Sequence, residues 1–225
     1  MRIRHKPWAK PELEACPFYI SEPKIYTGNW NAAFPGEKKP IRLELGCGKG
    51  GFIAQEAPAN LDYHYIAMDI KNEMLVLAKR KLEAAYAEKQ MPLDNVRIFI
   101  CNLMQFSEYF APTDQIDRIY INFCNPWPRS KHKKRRLTHP RQLEQYRSVL
   151  NGEIWFKTDD DDLFQESITY FQECHFEIVF QTTDLHKEPS IQSFRTEHEA
   201  MFEEMGKTIK FLIARPIMQQ EFIMI

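Results

Sequence analysis

Two short segments of this chain carry residue types that could do chemistry. The first, Leu43-Glu44-Leu45-Gly46-Cys47-Gly48-Lys49-Gly50-Gly51-Phe52, sets a carboxylate just ahead of closely spaced glycines. Glycines let a backbone turn tightly and approach a ligand closely. The string satisfies Gly46-x-Gly48-x-x-Gly51, so a nicotinamide-dependent oxidoreductase is one reading. Glu44 favours another, because a carboxylate there would repel a pyrophosphate and attract a cationic ligand. Asp69, 25 residues after Glu44, ends the next apolar stretch and is placed to accept hydrogen bonds from ribose hydroxyls. The second segment, Asn122-Phe-Cys-Asn125-Pro-Trp-Pro128, holds an amide and a tryptophan in a proline-stiffened loop. Trp127 could stack on an extruded base or simply pack the loop onto its sheet. Asn125 could do no more than cap a tight Asn-Pro turn.

A basic run follows at once. From Arg129 to Arg141 the chain reads RSKHKKRRLTHPR, with seven Lys or Arg, two His and no acid. Arg2, Arg4, Lys6 and Lys10 add charge near the start, while acids gather elsewhere, as at Asp159–Asp162. The net charge of −1 hides this segregation, which suits either a solvated surface or a phosphate-binding face. The acids at 159–162 most simply cap the helix that follows.

Strands and helices that alternate must hold these segments. Apolar stretches predict strands at Ile41–Leu45, Tyr63–Ile70, Asn95–Ile100, Arg118–Asn122, Glu153–Lys157, Phe176–Gln181 and Lys207–Ala214. Helices are expected near Gly51–Ala57, Lys71–Gln90, Arg141–Leu150, Asp161–Glu173 and Thr196–Met205. That alternation implies an α/β, doubly wound, mostly parallel sheet with ligands at the carboxyl ends of its strands. Residues 1–39, with five prolines and no periodicity, read as an irregular basic arm packed on a core at 40–217; residues 218–225 form a tail.

No apolar run approaches membrane-spanning length, and no apolar region follows the basic start, so a cytoplasmic protein is expected. Five scattered cysteines without zinc spacing predict reduced thiols, no metal and no disulfide framework.

The acid at Glu44, the alternating glycines and the second-strand acid resemble the Rossmann-like class I methyltransferases, which use S-adenosyl-L-methionine. An Asn-Pro pair after strand four is similar to the loop of amino-methyltransferases. The displaced proline of Asn125-Pro-Trp-Pro128 and its basic trailer resemble a narrower family, the bacterial tRNA (guanine-N7)-methyltransferases. The resemblance extends from Met1–Ala9 through Leu43–Phe52, Asn125–His132, Lys134–Leu137 and Phe156–Asp159 to Thr196–Glu199. It implies that Glu44, Gly46, Gly48, Asp69, Asn102 and Asn125 contact the cofactor. It also implies that Asn125 takes the catalytic position, and that Arg129, Asp159, Thr196, Glu197, His198 and Glu199 contact tRNA. No obligate protein partner is evident, and a monomer or a homodimer is expected.

The sequence departs from the family pattern at Asn125 and Asn102, where the family usually has Asp. It departs also at Arg129, usually Lys, and at His198, often Tyr. Guanine N7 carries an in-plane lone pair, so its attack on a sulfonium methyl needs alignment rather than a general base. Asn keeps an acceptor while losing the charge. Methylation of an adenine amine, and a relative that binds RNA and cofactor without catalysis, remain the alternatives.

Overall fold

Every residue of Ile41–Leu45 is buried, as a parallel strand covered on both faces requires. A computed structural model describes residues 4–217 and makes this stretch β1. The other strands are β2 (His64–Asp69), β3 (Val96–Ile100), β4 (Ile116–Asn122), β5 (Leu150–Thr158), β6 (Phe176–Thr182) and β7 (Lys210–Pro216). The helices are α1 (Ala9–Glu14), α2 (Ile53–Ala59), α3 (Asn72–Glu88), α4 (Pro140–Arg147), α5 (Asp161–Glu173) and α6 (Glu197–Glu204). Among the described residues the strands form one sheet, ordered β3-β2-β1-β4-β5-β7-β6. β7 runs antiparallel to both neighbours, and the other pairs are parallel.

Side-chain alternation fixes what each face meets. Ile41, Leu43 and Leu45 join Leu143 and Tyr146 of α4 and Leu163 and Phe171 of α5 in one core. Tyr65, Ala67 and Tyr120 join α1, α2 and α3 in the other. Arg42 and Glu44 therefore point into this second layer, where Arg42 meets Glu56 of α2. The strand order reverses between β1 and β4, so the ligand crevice of such a sheet opens at their carboxyl ends.

Several boundaries differ from expectation for physical reasons. Ala9–Glu14, within the stretch expected to be irregular, is helical because Ala9 and Leu13 bury against α3. Glu12 there meets Arg80 in a two-pronged pair at 2.8 and 2.6 Å. Farther along, Trp30 is fully buried against Phe99 and Phe110, and its indole N–H donates to the Tyr109 carbonyl. Leu150 belongs to β5 rather than to α4, because it pairs in register with Ile116. The last strand, expected from Lys207, begins at Lys210. No helix among the described residues is long and apolar enough to cross a membrane. The tail at 218–225 lies outside the described residues, as do residues 1–3.

Candidate active site

At the end of β1 the chain turns through Gly46, Gly48 and Gly50, all at positive φ. The Gly46 and Cys47 amides donate to the Met68 carbonyl, tying the turn to β2. Gly50 is the most constrained: a Cβ there would lie 2.7 Å from the Ala78 backbone of α3, at φ +75°. Gly50→Ala is expected to cost about 2–4 kcal/mol through overpacking and left-handed strain. A melting curve checks this; an unchanged midpoint would count against the tight turn. Asp69, at the end of β2, accepts from the amides of Gly48 (3.0 Å) and Lys71 (2.9 Å). Burial pushes its carboxyl above the usual range.

Glu44 is 3% exposed. One carboxylate oxygen accepts from Asn122 Nδ2 of β4 at 3.3 Å, and the other has no partner. Burial pushes the carboxyl up to about 8, against the pull of the Asn122 amide and of Lys157. An orphaned acceptor at the switch point fits a cationic ligand, since an amine or sulfonium would supply the missing counter-charge.

Two adjoining cavities open here, with Gly46 and Phe123 in the walls of both. The larger, about 620 Å³, is lined by Asp69, Ile70, Asn102, Leu103, Met104, Asn125 and Trp127 among others. The smaller, about 330 Å³, is lined by Glu44, Gly48, Asn122, Thr196, Glu197, His198 and Met201 among others. Phe123 and Trp127 hold φ of +52° and +41°, strained for residues with side chains. Such strain gathers where a loop must present groups to a ligand. Asn125 Oδ1 accepts from the Trp127 amide at 3.0 Å, so the turn cap is real. The amide nitrogen of Asn125 is left over, on an exposed side chain. Trp127 is half-buried, with Arg135 5.2 Å and the His132 ring 5.9 Å from its ring centre.

The opposite rim is α6 and the residues before it. Thr196 and Glu199 form a reciprocal capping box, Thr196 Oγ1 accepting from the Glu199 amide and Glu199 from the Thr196 amide. Beneath it Lys157 Nζ donates to both oxygens of Glu199, at 3.3 and 3.2 Å, and to the Phe194 carbonyl at 3.0 Å. Burial lowers the Lys157 ammonium pKa, and the Glu199 carboxylate opposes it. Glu197 pairs with Lys49 and Lys81, and the His198 ring stacks on Phe123.

A family model described as a putative methyltransferase matches residues 38–212. A tRNA (guanine-N7)-methyltransferase of Clostridium perfringens is 54% identical over 96% of this chain and all of that relative. The chain belongs to the tRNA (guanine-N7)-methyltransferase family. A Clostridium beijerinckii relative of the same name is 56% identical over 95% of this chain and 98% of its own. Among solved structures, an antibiotic-related methyltransferase superimposes with a TM-score of 0.56 at 17% identity, covering 80% of this chain and 88% of that one. The 16S rRNA methyltransferase KamB gives 0.55 at 11%, covering 78% and 86%. Those two likenesses place the fold among class I methyltransferases, as the sheet order does.

Of the family positions, the fold gathers Glu44, Gly46, Gly48, Asp69, Asn102 and Asn125 around the paired cavities, with Thr196, Glu197 and His198 on the rim. Arg129 and Asp159 line neither; Arg129 is exposed, and Asp159 pairs with Lys207 at 2.8 Å. Glu199 is 1% exposed and spent on Lys157 and the capping box, so it holds the rim rather than facing a ligand. Asp160 is the residue that caps α5, through the Leu163 amide. Lys157 and Phe123 carry more of the site than their types announce. A lysine inside an apolar strand was the available signal for the first.

Proposed function

We propose that this protein transfers the methyl group of S-adenosyl-L-methionine to N7 of a guanosine in tRNA, in the variable loop by family resemblance. The carrying observation is the orphaned Glu44 oxygen in the wall of a cavity that the Asn125-Pro-Trp-Pro128 loop rims. Bound there, the cofactor supplies an electrophilic sulfonium methyl. Glu44 would hold its cationic end, Asp69 its ribose, and Ile70 and Asn102 the walls around its base. Asn102 already spends its carbonyl oxygen on the Met104 amide, leaving its amide nitrogen to donate.

For the RNA, Trp127 offers a stacking face, and exposed Arg129, Lys131, Lys134 and Arg135 offer charge to phosphates. Asn125 is suited to hold the base. Its carbonyl caps the turn, so its NH2 can donate to guanine O6, the acceptor beside N7. Thr196, Glu197 and His198 rim the cavity on the side from which the tRNA would arrive. Asp159 would join them by family resemblance alone, and the protein would act in the cytoplasm, as a monomer or a homodimer.

The test is nucleoside analysis after incubation with labelled cofactor and unmodified tRNA, expected to give 7-methylguanosine. Methylated adenosine would replace this reading with the amine-directed one. Asn125→Ala is expected to lower transfer about tenfold, the scale of one hydrogen bond. Asn125→Asp should stay within that range, trading a donor for charge. A wild type that is inert while Asn125→Asp transfers methyl would identify a degenerate binder.

A further inference from the structure

The basic run is not uniform. Arg136 is 1% exposed, although it stands among cations that face solvent. Its Nε donates to the Pro126 carbonyl at 2.6 Å, and Nη1 donates to Glu166 of α5 at 2.8 Å. Glu166 is held in turn by Lys133 at 2.6 Å and by the Tyr170 hydroxyl at 3.0 Å. Two residues on, Thr138 and Ser167 bond at 2.7 Å, a second tie between this segment and α5.

We propose that Arg136 is a positioning residue: it latches the Asn125-Pro-Trp-Pro128 loop to α5 and makes no contact with RNA. The guanidinium suits the task, because its planar fork can meet a carbonyl and a carboxylate at once, which an ammonium cannot. The loop needs an external hold. Trp127 sits at φ +41°, and Asn125 secures only the turn's own amide; the Phe123 amide, on the Lys157 carbonyl at 2.9 Å, ties the strand end before the loop but not the turn at 125–128. The Pro126 carbonyl lies between Asn125 and Trp127, and pinning it fixes both. Lys133 belongs to the same latch through Glu166. The charges of the run left for phosphate are therefore Arg129, Lys131, Lys134, Arg135 and Arg141.

The inference rests on the methyl-transfer reading for its rate prediction, but not for its structural one. Three measurements on Arg136→Ala, Arg136→Lys and Glu166→Gln separate the two. First, amide exchange at 123–129, and above all at Trp127, should quicken in Arg136→Ala while β1 and β2 keep their protection; this holds whether or not the protein is active. Second, kcat should fall on the order of a hundredfold, as about 1 Å of misplacement can cost, with KM for tRNA changed less than about twofold. Arg136→Lys and Glu166→Gln should fall between that variant and wild type, and the lysine and glutamine forms guard against a simple failure to fold. Third, the dependence of tRNA binding on log salt should keep its slope in Arg136→Ala, whereas Lys134→Ala should lower it by about one phosphate. A lowered slope with normal kcat in Arg136→Ala would overturn the latch and make Arg136 an RNA contact. Unchanged exchange at 123–129 would overturn it even if the wild type proved inert on tRNA.

Discussion

The affinity of this protein for S-adenosyl-L-methionine is expected to climb as pH rises toward 8, and Glu44→Gln is expected to remove that climb. Burial, with lesser repulsion from Asp69 and Glu56, pushes the Glu44 carboxyl up to about 8 against the pull of the Asn122 amide and of Lys157. Below that pH it is mostly protonated and neutral. The cofactor's ammonium needs the carboxylate, so each pH unit below the folded pKa should weaken binding about tenfold; between pH 6 and pH 8 the gain is roughly fifty-fold. Above 8 the cofactor's own α-ammonium begins to lose its proton, so the gain should stop there. The sign for stability is opposite. A carboxyl whose folded pKa is raised favours the folded state at low pH. That contribution is lost as pH rises from its ordinary 4.5 through 8, unless a cation is bound. Calorimetric titration at half-unit steps from pH 6 to 8.5 decides the matter. An acidic limb that survives in Glu44→Gln would assign the titration to another group, with Asp69 the first candidate.

Glu44 was legible as an acid at a strand end beside glycines, and hence as a counter-charge, because strand, turn and motif are local patterns. Its orphaned oxygen was not legible, because that depends on Asn122 arriving from β4, 78 residues away, and reaching one oxygen only. The strands and most helices followed from periodicity. The α1 helix did not, since its stability comes from Leu13 and Glu12 meeting α3 rather than from any pattern among the prolines. The basic run shows the same limit. Arg135 and Arg136 are the same letter, yet one is exposed and the other is the buried partner of Pro126 and Glu166. The family resemblance sets Glu199 among the substrate positions, and what its local sequence does not show is Lys157, 42 positions earlier, holding its carboxylate. Burial and long-range pairing decide such residues, and neither is written locally.

Lys157→Met is expected to be the most damaging single change for stability. The two side chains of the pair are 2% and 1% exposed, and the substitution would strand the Glu199 carboxylate in the interior. Removing one partner of a buried ion pair costs about 3–5 kcal/mol, because the remaining charge has neither water nor a counter-ion. At about 2–4 °C per kcal/mol for a chain of this size, the melting point should drop by roughly ten degrees or more. His186 Nε2, 3.6 Å from Glu199, offers a partial substitute only when protonated. The double change Lys157→Met with Glu199→Gln should recover much of the loss. Glutamine at that position keeps the capping-box bond to the Thr196 amide and leaves no buried charge. The pair also reaches the cofactor acid: without Lys157 the Glu44 carboxyl loses the cation that draws its pKa down, so that pKa should move further up. The acidic limb of cofactor binding should then shift to higher pH in the double variant, even where the melting point is restored. A single variant that melts within two degrees of wild type would show that the pair does not hold the α6 rim. A double variant no more stable than the single one would place the cost in the lost Phe194 carbonyl bond instead.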